Sequence, residues 1–191
     1  MAHAATNGGH FHAVRFYEDD NSLCRIVSGF IAEGLTIGQP GLVIATQPHA
    51  TCIVQNLADA GVDVETTKKR GDLLVLDARQ TLATFMANGL PDADFFRASA
   101  TSALEQLSRG RNQTIRAYGE MVDVLWKDGM TDAAIKLEML WNRLANSHDF
   151  SLLCGYAMGN FYKDAGMRDI CAQHSHVVPS DSALPTRTTV N

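Results

Sequence analysis

Residues 12–46, HAVRFYEDDNSLCRIVSGFIAEGLTIGQPGLVIAT, change their hydrophobic period twice. Val14 and Phe16 alternate with Arg15 and Tyr17 at strand spacing, and Leu23, Ile26, Val27, Phe30 and Ile31 then recur at helical spacing. Asp20 or Asn21 is placed to cap that helix, and Gly34 to end it. Residues 41–46, GLVIAT, are apolar almost throughout, as in a strand covered on both faces. A strand, a helix and a second buried strand make one crossover unit of a parallel α/β sheet.

The same alternation continues outward. A helix entered through Pro48 carries Ile53, Val54, Leu57 and Ala58 on one face and stops at Gly61. Asp72–Asp77 (DLLVLD) reads as a third strand followed by a short helix near 79–88, and Asp92 caps a helix marked by Phe96, Ala100, Ala103, Leu104 and Leu107. Thr114–Tyr118 is a fourth strand running into a helix near 119–128. Thr131 opens another helix that buries Leu137, Leu140, Trp141 and Leu144. Phe150–Tyr156 (FSLLCGY) is a fifth strand, and Met167–His174 a last helix. The expected fold is α/β: a mainly parallel sheet with helices on both faces. Residues 11–179 form one domain, and residues 1–10 and 180–191, small and polar without periodicity, are expected to be flexible ends.

Length and charge exclude several classes. With 191 residues the domain buries roughly 70% of its unfolded surface and needs no disulfide or metal scaffold to hold a core. The balance of 16 basic and 21 acidic residues gives −5, with no basic run longer than Lys68-Lys69-Arg70, which disfavours direct nucleic-acid binding. Apolar runs are strand-sized and the first thirty residues lack a signal-peptide pattern, so no membrane association and a cytoplasmic location are expected. Cys24, Cys52 and Cys154 sit in apolar periodic segments, which favours reduced core thiols.

Ligands of such sheets bind beyond the carboxyl ends of the strands. That rule selects Tyr17–Asp20, Thr46–His49, Asp77–Gln80, Gly119–Glu120 and Tyr156–Asn160. Leu73–Asp77 has the hhhhD pattern of a Walker B strand, which is also the pattern of any buried strand leaving a core. A Walker A loop would need glycines and a Lys after the first strand, whereas FYEDDN (16–21) has no Gly and three carboxylates that would repel a triphosphate. Tyr17 and Glu18 in that turn suit a cationic or hydrogen-bond-donating ligand, or simply complement the helix dipole. Glu120 reads the same two ways. Arg116, inside a strand, requires a carboxylate partner, for which Asp77 and Glu120 are candidates. Cys171, His174 and His176 are metal-capable but cannot all face one side of a regular helix, and His10 and His12 complete a ligand set only if the termini meet. No metal is therefore assigned, and the duller reading is a last segment packed beside the first strand. No G-x-S-x-G, H-E-x-x-H or C-x-x-C occurs, and Trp126 and Trp141 read as packing residues.

Six segments together resemble the MEDS domain, the sensory domain named for methanogens, methylotrophs and the repressor DcmR. They are HAVRFYEDD (12–20), DLLVLDARQTLATFM (72–86), RAYGEMVDVLW (116–126), LEMLWNRLA (137–145), FSLLCGYAM (150–158) and ICAQHSHVVP (170–179), in the family's order. The resemblance implies a fold like that of the RecA and KaiC ATPases without a working P-loop. It also implies a role as an input module, sensing small organic compounds, for transcription regulators or histidine kinases. It places Tyr17, Glu18, Asp77, Glu120, Cys154, His174 and His176 among the positions to test.

The leading expectation is a non-catalytic cytoplasmic sensor with ligand contacts at Tyr17, Glu18, Asp77, Arg116 and Glu120. It needs no cofactor beyond a small organic ligand, whose identity the residues leave open. Twelve residues follow Pro179, too few for an output module, so a stand-alone domain or a segment of a longer protein, signalling through a partner, is expected. A homodimer is a reasonable assembly. The alternatives are a protein-interaction module with a vestigial pocket, a metal or haem sensor using Cys171, His174 and His176, and residual nucleotide hydrolysis.

Overall fold

Apolar runs set the strands, and the computed structural model describes residues 11–109, 112–160 and 166–178. In chain order the elements are β1 (His12–Tyr17), α1 (Asp20–Thr36), β2 (Gly41–Ala45), α2 (Gln47–Asp59), α3 (Val64–Arg70), β3 (Leu73–Asp77) and α4 (Ala78–Ala83). There follow β4 (Met86–Ala87), β5 (Leu90–Pro91), α5 (Ala93–Ser108), β6 (Ile115–Gly119), α6 (Met121–Lys127) and α7 (Thr131–Leu144). The chain continues through β7 (Phe150–Ala157), a 3-10 turn (Met158–Asn160), α8 (Met167–Ala172) and β8 (His176–Val178).

Six strands form one sheet in the order β3-β2-β6-β7-β1-β8. Every pairing in it is parallel. This is the α/β architecture expected, consistent with a RecA-like fold. One face packs Leu23, Val27 and Ile31 of α1 and Ile53 and Leu57 of α2 against Ala13, Val43 and Leu153. The other packs Phe96 and Leu104 of α5, Met121 and Leu125 of α6 and Leu137 and Trp141 of α7 against Val14, Leu42 and Leu152. The strand period of two sends alternate residues to the two cores. Helices α1–α3 thus cover one face and α4–α7 the other.

Three elements were not expected: α3, the short hairpin β4–β5, and β8. Helix α3 (VETTKKR) is polar and one-sided in charge; what fixes it is Asp63, which caps Thr66 N, and Gly71 at φ 71, which ends it. The hairpin interrupts the helix expected near 79–88, because Asn88 and Gly89 take positive φ values of 52 and 79. Strand β8 pairs with β1, His176 opposite Ala13, so the last segment does pack beside the first strand. Helix α1 starts on Asp19 rather than Asp20 or Asn21, and Gly34 lies within it. The expected flexible ends, residues 1–10 and 180–191, fall outside the described residues.

Candidate functional site

At the carboxyl edge, the turn after β1 is organised by its own side chain. Asp19 accepts from the backbone amides of Asn21 at 3.3 Å and Ser22 at 2.8 Å. In a P-loop the amides at this helix start cradle phosphate; here a carboxylate of the chain holds them.

The chains leaving β2 and β6, neighbours in the sheet, depart to opposite faces, so their carboxyl ends form a topological switch point. His49, in the first turn of α2, and Glu120, just beyond β6, meet there. Nδ1 of His49 lies 2.7 Å from Glu120 Oε2, while Nε2 lies 3.3 Å from Asp20 Oδ1. Glu120 also accepts from Thr46 N at 2.7 Å and from the Tyr118 hydroxyl at 3.2 Å. The Glu120 hydrogen bond raises His49 above its ordinary pKa, outweighing burial. Burial alone would raise Glu120, yet the His49 and Thr46 hydrogen bonds win and hold it low. With a carboxylate at each nitrogen, the ring is suited to the doubly protonated form. Asp20 is the exposed end of this chain, its side chain 73% accessible.

Beside it, Asp123 of α6 gathers three donors. Tyr17 OH donates to Oδ2 at 3.0 Å, Lys127 Nζ lies 2.7 Å from the same oxygen, and Ala157 N donates to Oδ1 at 3.0 Å. Burial, then the Asp123 charge, pushes the Tyr17 phenol far up, so it stays a donor. The Tyr17 ring stands edge-on to His49 at 6.0 Å, which joins the two networks.

Of the expected contacts, Tyr17 and Glu120 are thus brought together and Glu18 is exposed on the same turn. Asp77 ends β3, beyond β2, and its carboxylate caps α4 through Gln80 N at 2.8 Å. Arg116 requires a correction. It pairs in register with Gly41, the first residue of β2, and therefore lies toward the amino end of the sheet. Asp77 and Glu120, the partners expected for it, are not those it has. Its guanidinium donates to Gln39 Oε1 at 2.9 Å and Phe30 O at 3.0 Å, pairs with Glu33 at 3.3 Å and covers the Phe30 ring.

A second polar cluster is sealed between the sheet, α7 and the segment after α8. Nε2 of His12 lies 3.2 Å from Glu138 Oε2 and 3.4 Å from Cys154 Sγ; Cys154 Sγ lies 3.5 Å from Glu138 Oε2. The His174 ring stands 4.1 Å from that of His12. Burial acts to raise Glu138, but the neighbouring histidines, His174 foremost, hold it well below the carboxylate range. Burial pushes the Cys154 thiol up. Of the three residues first weighed for metal, only His174 belongs here. His176 lies in β8 against Phe11, and Cys171 is half-buried on α8. His12 does meet His174, whereas His10 lies outside the described residues.

The family model described as MEDS, methanogen/methylotroph, DcmR sensory domain, matches residues 11–175. The chain belongs to the MEDS family. No curated protein matches it. As a MEDS domain it has, among its described residues, no helix long and apolar enough to cross a membrane. A groove of about 430 Å³ lined by Leu35, Gln39, Asp63, Thr67, Arg70 and Asp72 also opens in this MEDS domain, at the amino ends of β2 and β3.

From the sequence, the segments holding Asp20 and His49 were selected without those residues being singled out as contacts, His12 was named only as a conditional metal ligand, and Asp123, Lys127 and Glu138 were missed as site residues. Asp123 and Lys127 carried one legible signal, an acid–base pair at i,i+4 in an otherwise apolar helix. Glu138 carried another: a carboxylate adjoining Leu137 on the buried face of α7, fully inaccessible in the fold.

Proposed function

We propose that this MEDS domain is a non-catalytic cytoplasmic sensor that takes a small organic ligand at the carboxyl edge of the sheet. Its ligand state passes to a regulatory partner, a transcription regulator or a histidine kinase system. The observation that carries this reading is the bridge by which His49 on α2 ties exposed Asp20 on α1 to buried Glu120 after β6. A ligand offering a hydrogen-bond donor or a positive charge competes with His49 for Asp20, with Glu18 and the Tyr17 ring adjoining. Releasing that tie changes how α1 and α2 sit against each other, and a ligand with different affinity for the two arrangements shifts their populations.

A non-catalytic role is supported by engagement of the groups that chemistry would need. Asp19 takes the amides a phosphate would use, and Glu120 already accepts from three donors. Four free cysteines suit a reducing compartment.

The test is native mass spectrometry of freshly purified protein, followed by thermal-shift titration with short-chain alcohols, amines and amides. A retained small mass, or a saturable shift that Asp20→Asn abolishes and that His49→Gln, by removing the competitor for Asp20, moves to lower ligand concentration, is expected. No retained mass together with no saturable shift, or a shift indifferent to both substitutions, overturns the proposal.

A further inference from the structure

The cluster of His12, Glu138, Cys154 and His174 has features that a buried ion pair does not require. Four donor atoms, one from each residue, lie within 4.8 Å of one another. The edges of a tetrahedron with zinc-like bonds are roughly 3.3–3.8 Å. His12 Nε2, Cys154 Sγ and Glu138 Oε2 stand 3.2, 3.4 and 3.5 Å apart, and His174 Nε2 lies 3.4 Å from the other carboxylate oxygen, Oε1. Three edges are therefore already near their bound length, and the fourth ligand needs only a small approach.

The outer contacts orient each donor inward. Asn142 donates through Nδ2 to Gln173 O at 2.8 Å, which turns its Oδ1 toward His12 Nδ1, also at 2.8 Å. His174 Nδ1 lies 2.7 Å from Ile170 O. Each acceptor fixes the proton on Nδ1 and leaves the Nε2 lone pair facing the cluster, the usual outer shell of a metal-bound imidazole. Tyr156 OH donates to Glu138 Oε1 at 2.9 Å and orients the carboxylate. Most telling is His174 Nε2. Its side chain is 0% exposed, and although Glu138 Oε1 lies at ion-pair distance, 3.4 Å, the atom has no hydrogen-bond partner among the described residues. A buried polar nitrogen aimed into a cage of donors needs something to bind.

We propose that His12 Nε2, Glu138, Cys154 Sγ and His174 Nε2 bind one divalent transition-metal ion of the zinc class in a closed four-coordinate site. Nitrogen, sulfur and oxygen donors in this number suit zinc rather than magnesium or calcium. On binding, the Cys154 S–H bond breaks, a sulfur–metal bond forms and the proton passes to solvent, as does any proton on either Nε2. A dication with one thiolate and one carboxylate is neutral, which burial favours. The ligands come from β1, α7, β7 and the segment after α8, so the ion fastens residues 166–178 to the sheet.

The test uses the full chain without a histidine tag, reduced, stripped with chelator and titrated with cobalt(II) alone. One equivalent per chain is expected, with thiolate-to-cobalt charge-transfer absorption that zinc displaces. Cys154→Ser removes the charge-transfer band, His174→Ala weakens binding at least tenfold, and Cys171→Ser changes neither. Folded wild type lacking the band at saturating cobalt overturns the proposal, with no variant needed; so does a band that survives Cys154→Ser or vanishes in Cys171→Ser. Zinc also raises the melting temperature of wild type and not of Cys154→Ser. The small-molecule titration at the carboxyl edge can fail without affecting any of these readouts.

Discussion

His49 reaches Glu120 at 2.7 Å across the crevice where the chains leaving β2 and β6 part to opposite faces of the sheet. A dinucleotide-binding or ATPase-like sheet keeps such a crevice open for its ligand. Here an imidazole joins the two sides and presents its far nitrogen to Asp20. The switch point has become an internal ion pair with one end in solvent.

That pair makes stability depend on pH in a defined direction. His49 has a folded pKa raised above 6.5, so its contribution is fully present below 6.5 and is lost as pH rises through the raised value. Glu120 has a folded pKa lowered from 4.5, so its contribution is present above 4.5 and is lost as pH falls through the lowered value. The pair therefore stabilises most between 4.5 and 6.5. Urea denaturation of wild type and His49→Gln should differ by about 2–3 kcal/mol in that window, since removing one partner leaves a buried carboxylate short of a donor. The difference should shrink toward alkaline pH. A pH-independent difference would show that packing, not charge, is what His49 supplies.

The parallel sheet was legible because its strands are covered on both faces and so read as continuous apolar runs, as Leu42–Ala45 and Leu152–Cys154 do. The ends of the elements were less so. Helix α3 rests on an Asp63 cap and a left-handed Gly71, and β8 on pairing with a strand some 160 residues earlier, which no local pattern reports. Arg116 went astray for the same reason. Its placement in a strand was legible, but its partners Gln39, Phe30 and Glu33 come from α1 and the loop after it. The Glu138 cluster is likewise assembled from four distant segments.

Asp123 should be a structural hub. Asp123→Ala removes the acceptor of the Ala157 amide and of the Tyr17 hydroxyl and leaves both in a largely buried setting. A loss of about 2–4 kcal/mol in chemical denaturation is expected, against about 1 kcal/mol for Tyr17→Phe, which deletes the donor to Asp123 together with its bond and a long 3.3 Å contact from Lys127, whose ammonium keeps Asp123 as its partner. Equal losses for the two variants would mean that Ala157 and Lys127 draw nothing from Asp123.

The seal over the second cluster can be tested at Gly166. It sits at φ +83, and a Cβ there would overlap Trp126 Cη2, a rigid ring atom. Gly166→Ala must move the backbone or the indole, at a cost of roughly 2–3 kcal/mol. Because α8 starts at the next residue, the first effect should be loosening of α8. Hydrogen exchange at Ile170 and Gln173, whose amides bond to Gly166 O and Ile170 O, should rise well before exchange in β6 or β7 does. Uniform acceleration across the sheet would show instead that α8 unfolds only with the whole domain.

Asp19 separates the sensory reading from an ATPase one. Its carboxylate caps α1 by accepting from the Asn21 and Ser22 amides, so Asp19→Ala should lower stability by about 1 kcal/mol, the usual loss for an N-cap. The same substitution bares the helix start, the element by which a P-loop grips phosphate. Two carboxylates, Glu18 and Asp20, still flank it and no Lys replaces the one a Walker A loop supplies, so repulsion outweighs the helix dipole. Calorimetry with magnesium-ATP should therefore register no binding to wild type or to Asp19→Ala. Measurable affinity in the variant alone would mean that Asp19 had been occupying a competent phosphate site, and the domain would then have to be regarded as a nucleotide binder held shut by one side chain.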